Sequence, residues 1–204
     1  MARGKKSSSR KSRVKQAVTL QERFVQYLNE ALAVENATIP RLEARIRQTG
    51  IAEAKGQLQH HLEETREQQS RLQQVISSLG GRPAREQAQL PIPSPPKRMS
   101  SAMKLIPAEQ ELKGAKEDAI IENAEVVMYD TLVQLAQQAN VSEAIPALTQ
   151  NLNEEKEMAD WIRANTPAMI AQLYPQIESS FGQQEKEEEK EREQDMTTAA
   201  TTEA

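Results

Sequence analysis

The segment from Gly80 to Ile106 divides this chain. It opens with Gly80-Gly81 and carries Pro83, Pro91, Pro93, Pro95 and Pro96, so its first part forms no regular helix. On either side lie two long segments whose apolar residues recur every three or four positions, the period of an α-helix. Within each pair the joint is one or two residues, which makes each pair an antiparallel hairpin. A helix of about 30 residues is ~45 Å long, and the 80–106 segment covers that distance with ease. Two hairpins must therefore be laid together by one long connection.

That topology is the ferritin-like version of the antiparallel four-helix bundle, and the expected fold is all-α. The alternative is a long helical hairpin that dimerises as a coiled coil, which needs no crossover. Thr19 and Glu22 form a T-x-x-E capping box at the start of the first helix, which ends near Gly50. The second helix runs from about Ile51 to Leu79. A short amphipathic helix is expected around residues 97–106. The third helix opens with Pro107, Glu109 and Glu111 and ends near Asn140. The fourth begins at Ser142 and ends at "ANTP", and a short C-terminal helix follows over residues 167–180. The bundle is thus expected over residues 18–166, with the crossover at 80–106. Disordered tails are expected on both sides, basic over 1–17 and acidic over 181–204. Pro40 should kink the first helix one turn after Glu35.

The chain has no cysteine, which excludes disulfides, thiolate metal sites and thiol catalysis. No run approaches ~18 consecutive apolar residues, and neither end carries the apolar core of a secretory signal. A soluble, cytoplasmic protein with no membrane partner is expected. Phosphate-binding glycine loops, the G-x-S-x-G elbow and the zincin H-E-x-x-H are absent, and there are only two histidines. Nucleotide hydrolysis and serine-type hydrolysis have no visible basis.

The informative residues are polar ones set inside the apolar stripes. In "LNEALAVENATIPRL" the face Leu28, Leu32, Ile39 and Leu42 has Glu35 in its middle. The fourth-helix stripe, Leu148, Leu152, Ala159 and Ile162, contains Glu155. The third-helix stripe, Ala119, Val126, Tyr129, Val133 and Ala136, contains Glu122 and borders Glu125 one turn on. The second-helix stripe, from Leu58 and Leu62 to Leu79, is flanked by His61, with Glu64 one turn further. By the same periodicity His60, Glu63 and Glu154 face outward.

These positions lie near the midpoints of their helices, and in an antiparallel bundle midpoints meet at one level. Up to five carboxylates and one imidazole therefore converge on one layer, with no lysine or arginine on the stripes at that height. Mutually close buried anions need protons or cations. Two divalent metals bridged by carboxylates would neutralise them, and the oxygen-rich donor set favours iron or manganese. The expected ligands are Glu35, His61, Glu64, Glu122, Glu125 and Glu155, two ions per chain, with Tyr129 and Met158 just behind them. Such a pair would bind oxygen or peroxide, or oxidise ferrous iron. No catalytic residue is singled out. The competing reading is a hydrated, metal-free polar layer in a non-catalytic helical interaction protein, with protonated carboxyls and a hydrogen bond from Tyr129.

These residues resemble a known family. "HLEET" (61–65) followed by Gln68, "IENAEVVMYDTL" (121–132), "LNEEKEMADWI" (152–162) and "AVEN" (33–36) are similar to the motifs of the YciE/YciF-like stress proteins. The resemblance covers about residues 18–165 and implies a ferritin-like bundle, metal binding and a stress-response role. Ferritins and related di-iron proteins generally use E-x-x-H on two helices. Here the second helix has His61-x-x-Glu64, the fourth has Glu155-x-x-Met158, and Asn123 stands where relatives often carry histidine.

The tails carry a separate expectation. Lys5, Lys6, Arg10, Lys11, Arg13 and Lys15 lie in an N-terminal stretch without any acid, a candidate for contact with nucleic-acid phosphates. The simpler reading of that stretch is a solubilising tail. A homo-oligomer, a dimer, is the expected assembly.

Overall fold

A computed structural model describes residues 18–93 and 105–202. The basic positions Lys5, Lys6, Arg10, Lys11, Arg13 and Lys15 lie outside the described residues, as does the short helix expected over 97–106, except for its last two positions. Those two, Leu105 and Ile106, are not helical.

Four helices form the bundle: α1 (Leu20–Gln48), α2 (Ala52–Ser78), α3 (Pro107–Gln138) and α4 (Ile145–Thr202). The capping box at Thr19 is formed in both directions. Glu22 N–H donates to Thr19 Oγ1 at 3.1 Å, and Glu22 Oε2 accepts from Thr19 N–H at 2.7 Å. α2 ends in a turn through Gly80, whose φ of 76° is the left-handed conformation that favours glycine. The N–H of Gly81 then returns to Ile76 O. Asn140 closes α3 in the same way, with φ 56° and a bond from Val141 N–H to Ala136 O.

α1 packs chiefly on α2 and α3 chiefly on α4, the two expected hairpins. In the described part of the crossover, residues 81–93 carry no helix, and residues 84–88 lie along α1. Asn29 Oδ1 accepts from Ala84 N–H at 2.6 Å, Ala33 O from Ala88 N–H at 2.7 Å, and Asn36 Nδ2 donates to Glu86 O at 2.9 Å. These bonds tie residues 84–88 to the Asn29–Asn36 stretch of α1.

The break expected at Pro167 does not occur. α4 continues through Pro167 and Pro175 to Thr202, so the separate C-terminal helix and the helix-free acidic tail expected there form one helix. Each proline removes one backbone donor, but local and tertiary contacts hold the segment. Asn165 Nδ2 and Thr166 Oγ1 donate to Trp161 O and Ile162 O. Beyond Pro167, Met169 and Leu173 are buried against Ala108. The start of the fourth helix also shifts, because Ser142–Ala144 form a 3-10 turn before α4. Helix α1 runs on through Pro40 without interruption.

Two apolar clusters fill the bundle. One gathers Phe24, Leu28, Leu32, Leu72, Ile76, Leu132 and Leu148; the other gathers Leu42, Leu58, Leu62, Met158 and Ile162. A polar slab separates them. A second polar seam lies nearer the Gly50 end, where Arg45 is buried between α1 and α3. Its Nε donates to Asp118 Oδ2 at 2.8 Å and its Nη2 to Glu111 Oε1 at 3.0 Å. Arg41 adds a second bond to Asp118 at 2.7 Å.

Gly114 is the residue that admits the Arg45 guanidinium, since a Cβ there would fall inside its contact radius. In an exposed helix Gly→Ala stabilises by about 1 kcal/mol. Here Gly114→Ala should instead destabilise, by roughly 1–3 kcal/mol, because displaced Arg45 leaves buried Asp118 and Glu111 short of donors. Urea unfolding checks this, and a variant as stable as wild type would contradict it.

Candidate metal centre

The slab is assembled from one side chain on each of α1, α2 and α4 and two on α3. Glu35, Glu122, Glu125 and Glu155 each have apolar neighbours one turn away on both sides and His61 has Leu58 one turn before it, so burying the stripes turns the polar groups inward as well. Glu35, His61 and Glu155 are 0% exposed, and Glu122 and Glu125 are 1% exposed.

Two of the carboxylates are held at one oxygen. Tyr129 Oη donates to Glu35 Oε1, and Thr38 Oγ1 donates to Glu125 Oε1 at 2.9 Å. Their other oxygens, Glu35 Oε2 and Glu125 Oε2, have no hydrogen-bond partner. The same holds for Glu122 Oε2 and for both oxygens of Glu155. His61 Nε2 lies 2.9 Å from Glu122 Oε2 and 3.7 Å from Glu155 Oε2, yet makes no aligned hydrogen bond. Ligand atoms of His61, Glu122 and Glu155 all fall within 4.8 Å of one another.

Glu64 does not join that group. Its side chain is partly exposed, and its Oε2 sits 3.1 Å from His61 Nδ1. A carboxylate only accepts, so this contact places the proton of a neutral imidazole on Nδ1 and leaves the Nε2 lone pair facing Glu122 and Glu155. A carboxylate behind a histidine in this way is the usual support of a metal-ligating imidazole. Burial pushes the Glu64 carboxyl up, but the His61 hydrogen bond and the charges of His61, His60 and Arg71 outweigh it and leave it below the ordinary value.

Burial pushes Glu35 up to about 7, with the Glu122 charge adding, against the Tyr129 hydrogen bond and the charges of His61 and Arg71. Glu125 and Glu155 are driven well above the ordinary carboxylate range, first by burial and then by neighbouring carboxylates. For His61 burial works downward, but Glu122, Glu64 and Glu125 together hold it well above its ordinary value. Tyr129 is raised by burial and by the charges of Glu35 and Glu155. Every one of these groups is responding to excess negative charge in a place water does not reach.

His60 and Glu63 are exposed, as periodicity indicated, while Glu154 is half-buried against Gln68 and Arg71. Met158 belongs to the second apolar cluster, where its Sδ accepts from Gln57 at 3.8 Å. Asn123 is exposed and bonds Ala119 O. Thr38, Gln68 and Asn151 are buried beside or near the layer; Thr38 and Asn151 escaped sequence reasoning, and Gln68 entered it only as part of a motif. Thr38 and Gln68 do fall one turn from Glu35 and His61-Thr65 on their helices, a spacing that could have flagged them.

Residues 19–174 match the family described as Domain of unknown function (DUF892). Three solved structures resemble the fold. A protein of Xanthomonas campestris pv. campestris matches with TM-score 0.65 and 22% identity, over 78% of this chain and 98% of that one. YcfI of Rhodopseudomonas palustris matches with TM-score 0.61 and 24% identity, over 74% and 96%. The E. coli stress protein YciF matches with TM-score 0.60 and 20% identity, over 76% and 99%. No described helix is long and apolar enough to cross a membrane. The chain belongs to the DUF892 family and is a YciE/YciF-like helical protein.

Proposed function

We propose that the central layer binds a dinuclear centre of iron or manganese, in a protein that serves stress protection. The observation that carries this reading is the set of buried, unpartnered donor atoms converging from four helices: Glu35 Oε2, His61 Nε2, Glu122 Oε2, Glu125 Oε2 and both oxygens of Glu155. Leaving such atoms unpaired costs about 1–3 kcal/mol each, more where charged. His61, Glu122 and Glu155 would hold one ion, and Glu35 and Glu125 would offer oxygens to a second. Four carboxylates with one imidazole suit hard or borderline cations. When bound, iron or manganese would supply one-electron chemistry toward oxygen or peroxide.

The chain's own residues do the rest. Glu64 fixes the His61 tautomer. Thr38 and Tyr129 each occupy one oxygen of a carboxylate and leave the other for a cation. The apolar clusters on both sides keep water out. The competing reading, a metal-free layer in a non-catalytic protein, draws on the raised Glu35, Glu125 and Glu155, which protonation would relieve.

The two readings part on metal content. Chain reconstituted anaerobically with ferrous iron should hold about two ions, the number of metals in carboxylate bundles of this class. Glu35→Ala and Glu155→Ala should each lower that count. A wild-type chain that binds none, with both variants as stable or more stable, would overturn the metal reading.

Stability against pH gives a second check. Glu35 rises on folding from an unfolded value of 4.5 to about 7, so the folded state holds more protons. Stability is therefore lost as pH climbs from 4.5 through about 7. Glu125 and Glu155 act with the same sign. His61, also raised on folding, contributes fully below 6.5 and loses that contribution as pH climbs through its folded value. Metal-free protein should melt roughly 5–10 °C lower at pH 8 than at pH 5. Bound metal, which replaces these protons, should abolish or reverse the trend. A metal-free melting temperature that rises over this range would contradict the assignment.

A further inference from the structure

The donors of the layer fall into two unlike sets. His61, Glu122 and Glu155, from α2, α3 and α4, bring one imidazole nitrogen and two carboxylates within 4.8 Å of one another. Both oxygens of Glu155 and Oε2 of Glu122 have no hydrogen-bond partner. Glu35 and Glu125 stand outside that group. They are linked instead by two reciprocal bonds between α1 and α3. Tyr129, one turn past Glu125, donates to Glu35 Oε1, and Thr38, one turn past Glu35, donates to Glu125 Oε1 at 2.9 Å. A helix rises ~1.5 Å per residue, so this crossing pattern keeps the two carboxylates within about one turn of each other along the helix axes. Each retains one free oxygen, Oε2, buried and without a partner.

Sets of such different make-up do not hold the same cation equally. The first offers three residues, among them the layer's one nitrogen donor, His61, whose other ring nitrogen is bonded to Glu64. Imidazole nitrogen suits iron and zinc, while carboxylate oxygen suits the harder manganese ion. The second set has no nitrogen. Tyr129 and Thr38 each occupy one of its oxygens, so each carboxylate has a single oxygen to offer. Any preference for one metal over another is therefore confined to the His61 side of the layer.

We infer that the two positions of the centre are unequal, the His61–Glu122–Glu155 position filling first with a nitrogen-preferring cation such as ferrous iron and the Glu35–Glu125 position filling second with Mn2+. The inference rests on the metal reading and adds to it an assignment of different metals to different residues. A centre whose four carboxylates shared both ions evenly would instead fill both positions with one metal.

Co2+ stands in for ferrous iron in the test, since it is the next ion in the order of affinities and absorbs in the visible. Metal-free full chain is titrated with Co2+. At one Co2+ per chain it is then titrated with Mn2+, followed by the loss of the EPR signal of the aqueous ion, with circular dichroism as the check on folding. Co2+ should bind in two steps whose Kd values differ about 10–100-fold, a range that a change behind a ligand already produces. The chain holding one Co2+ should take up one Mn2+ without losing its Co2+ band. Glu125→Gln should abolish that Mn2+ uptake and leave the first Co2+ step in place, while Glu155→Gln should weaken the first step about 10–100-fold. Should Glu125→Gln fail to fold, Glu35→Gln makes the same test from α1. Two Co2+ ions bound with one affinity, no Mn2+ uptake beside Co2+, or Glu125→Gln and Glu155→Gln weakening both steps alike overturns the inference and leaves the metal centre standing. A wild-type chain that takes up neither ion overturns the metal reading and this inference with it.

Discussion

The structure turns on a layer of carboxylates that the bundle buries and does not pair. Taking a charged carboxylate out of water costs several kcal/mol even after relaxation, and this layer does so four times at one height. Everything around it answers that cost. The imidazole of His61 is drawn toward its protonated form, and Glu35, Glu125 and Glu155 are drawn toward theirs. Tyr129 and Thr38 each donate to one oxygen and stop there. The apolar clusters on both sides give the helices their register, and that register is what brings the carboxylates level.

The second buried polar seam shows what this fold does when charge is structural. Arg45, Asp118 and Glu111 are buried as well, but here Arg45 bonds both carboxylates at 2.8–3.0 Å. Arg41 contributes a further bond, and the backbone N–H of Gly50 completes Glu111. Burial keeps Asp118 above its ordinary value against the pull of Arg45 and Arg41, while at Arg45 the Asp118 and Glu111 carboxylates outweigh burial and raise it. In the central layer four carboxylates face a common space with a single imidazole among them. A seam that serves only to join helices needs no such arrangement, and the contrast favours a ligand over a packing role for the layer.

Much of this was legible in the sequence because it follows from period and spacing. Glu35, Glu122, Glu125 and Glu155 stand on apolar stripes, and a rotation that buries the stripes must bury them. The proline-rich crossover and the one- or two-residue joints left one economical topology for the helices. What escaped falls into two kinds. Arg45 lies three residues past Leu42 on the stripe that holds Glu35, so period placed it inside. Its partners, however, sit more than 60 residues away on α3, and pairing across helices has no local signal. Arg71 flanks its stripe, and its partners Asn151 and Glu154 stand on another helix. The failure at Pro167 is different. A proline there does weaken the helix locally, and only the tertiary burial of Met169 and Leu173 against Ala108 overrides it.

The order of His61 and Glu64 carries a chemical consequence. In an E-x-x-H pair both side chains turn to the bundle centre and both can be ligands. Here the histidine takes the central position, fully buried, and the glutamate three residues on lies toward the surface, bonded to the ring nitrogen that faces away from the layer. Reversal thus turns the second residue from a donor into the group that orients the first. The layer is left with a single nitrogen among carboxylate oxygens, since Met158, at the matching place on α4, is committed to the apolar cluster. An oxygen-dominated set of this kind would hold a cation by charge more than by covalency and would discriminate poorly in favour of the softer metals. Placement of each carboxylate oxygen then matters more than ligand type, which is why groups that merely aim those oxygens, Glu64 for His61, Thr38 for Glu125 and Tyr129 for Glu35, carry so much of the site's chemistry.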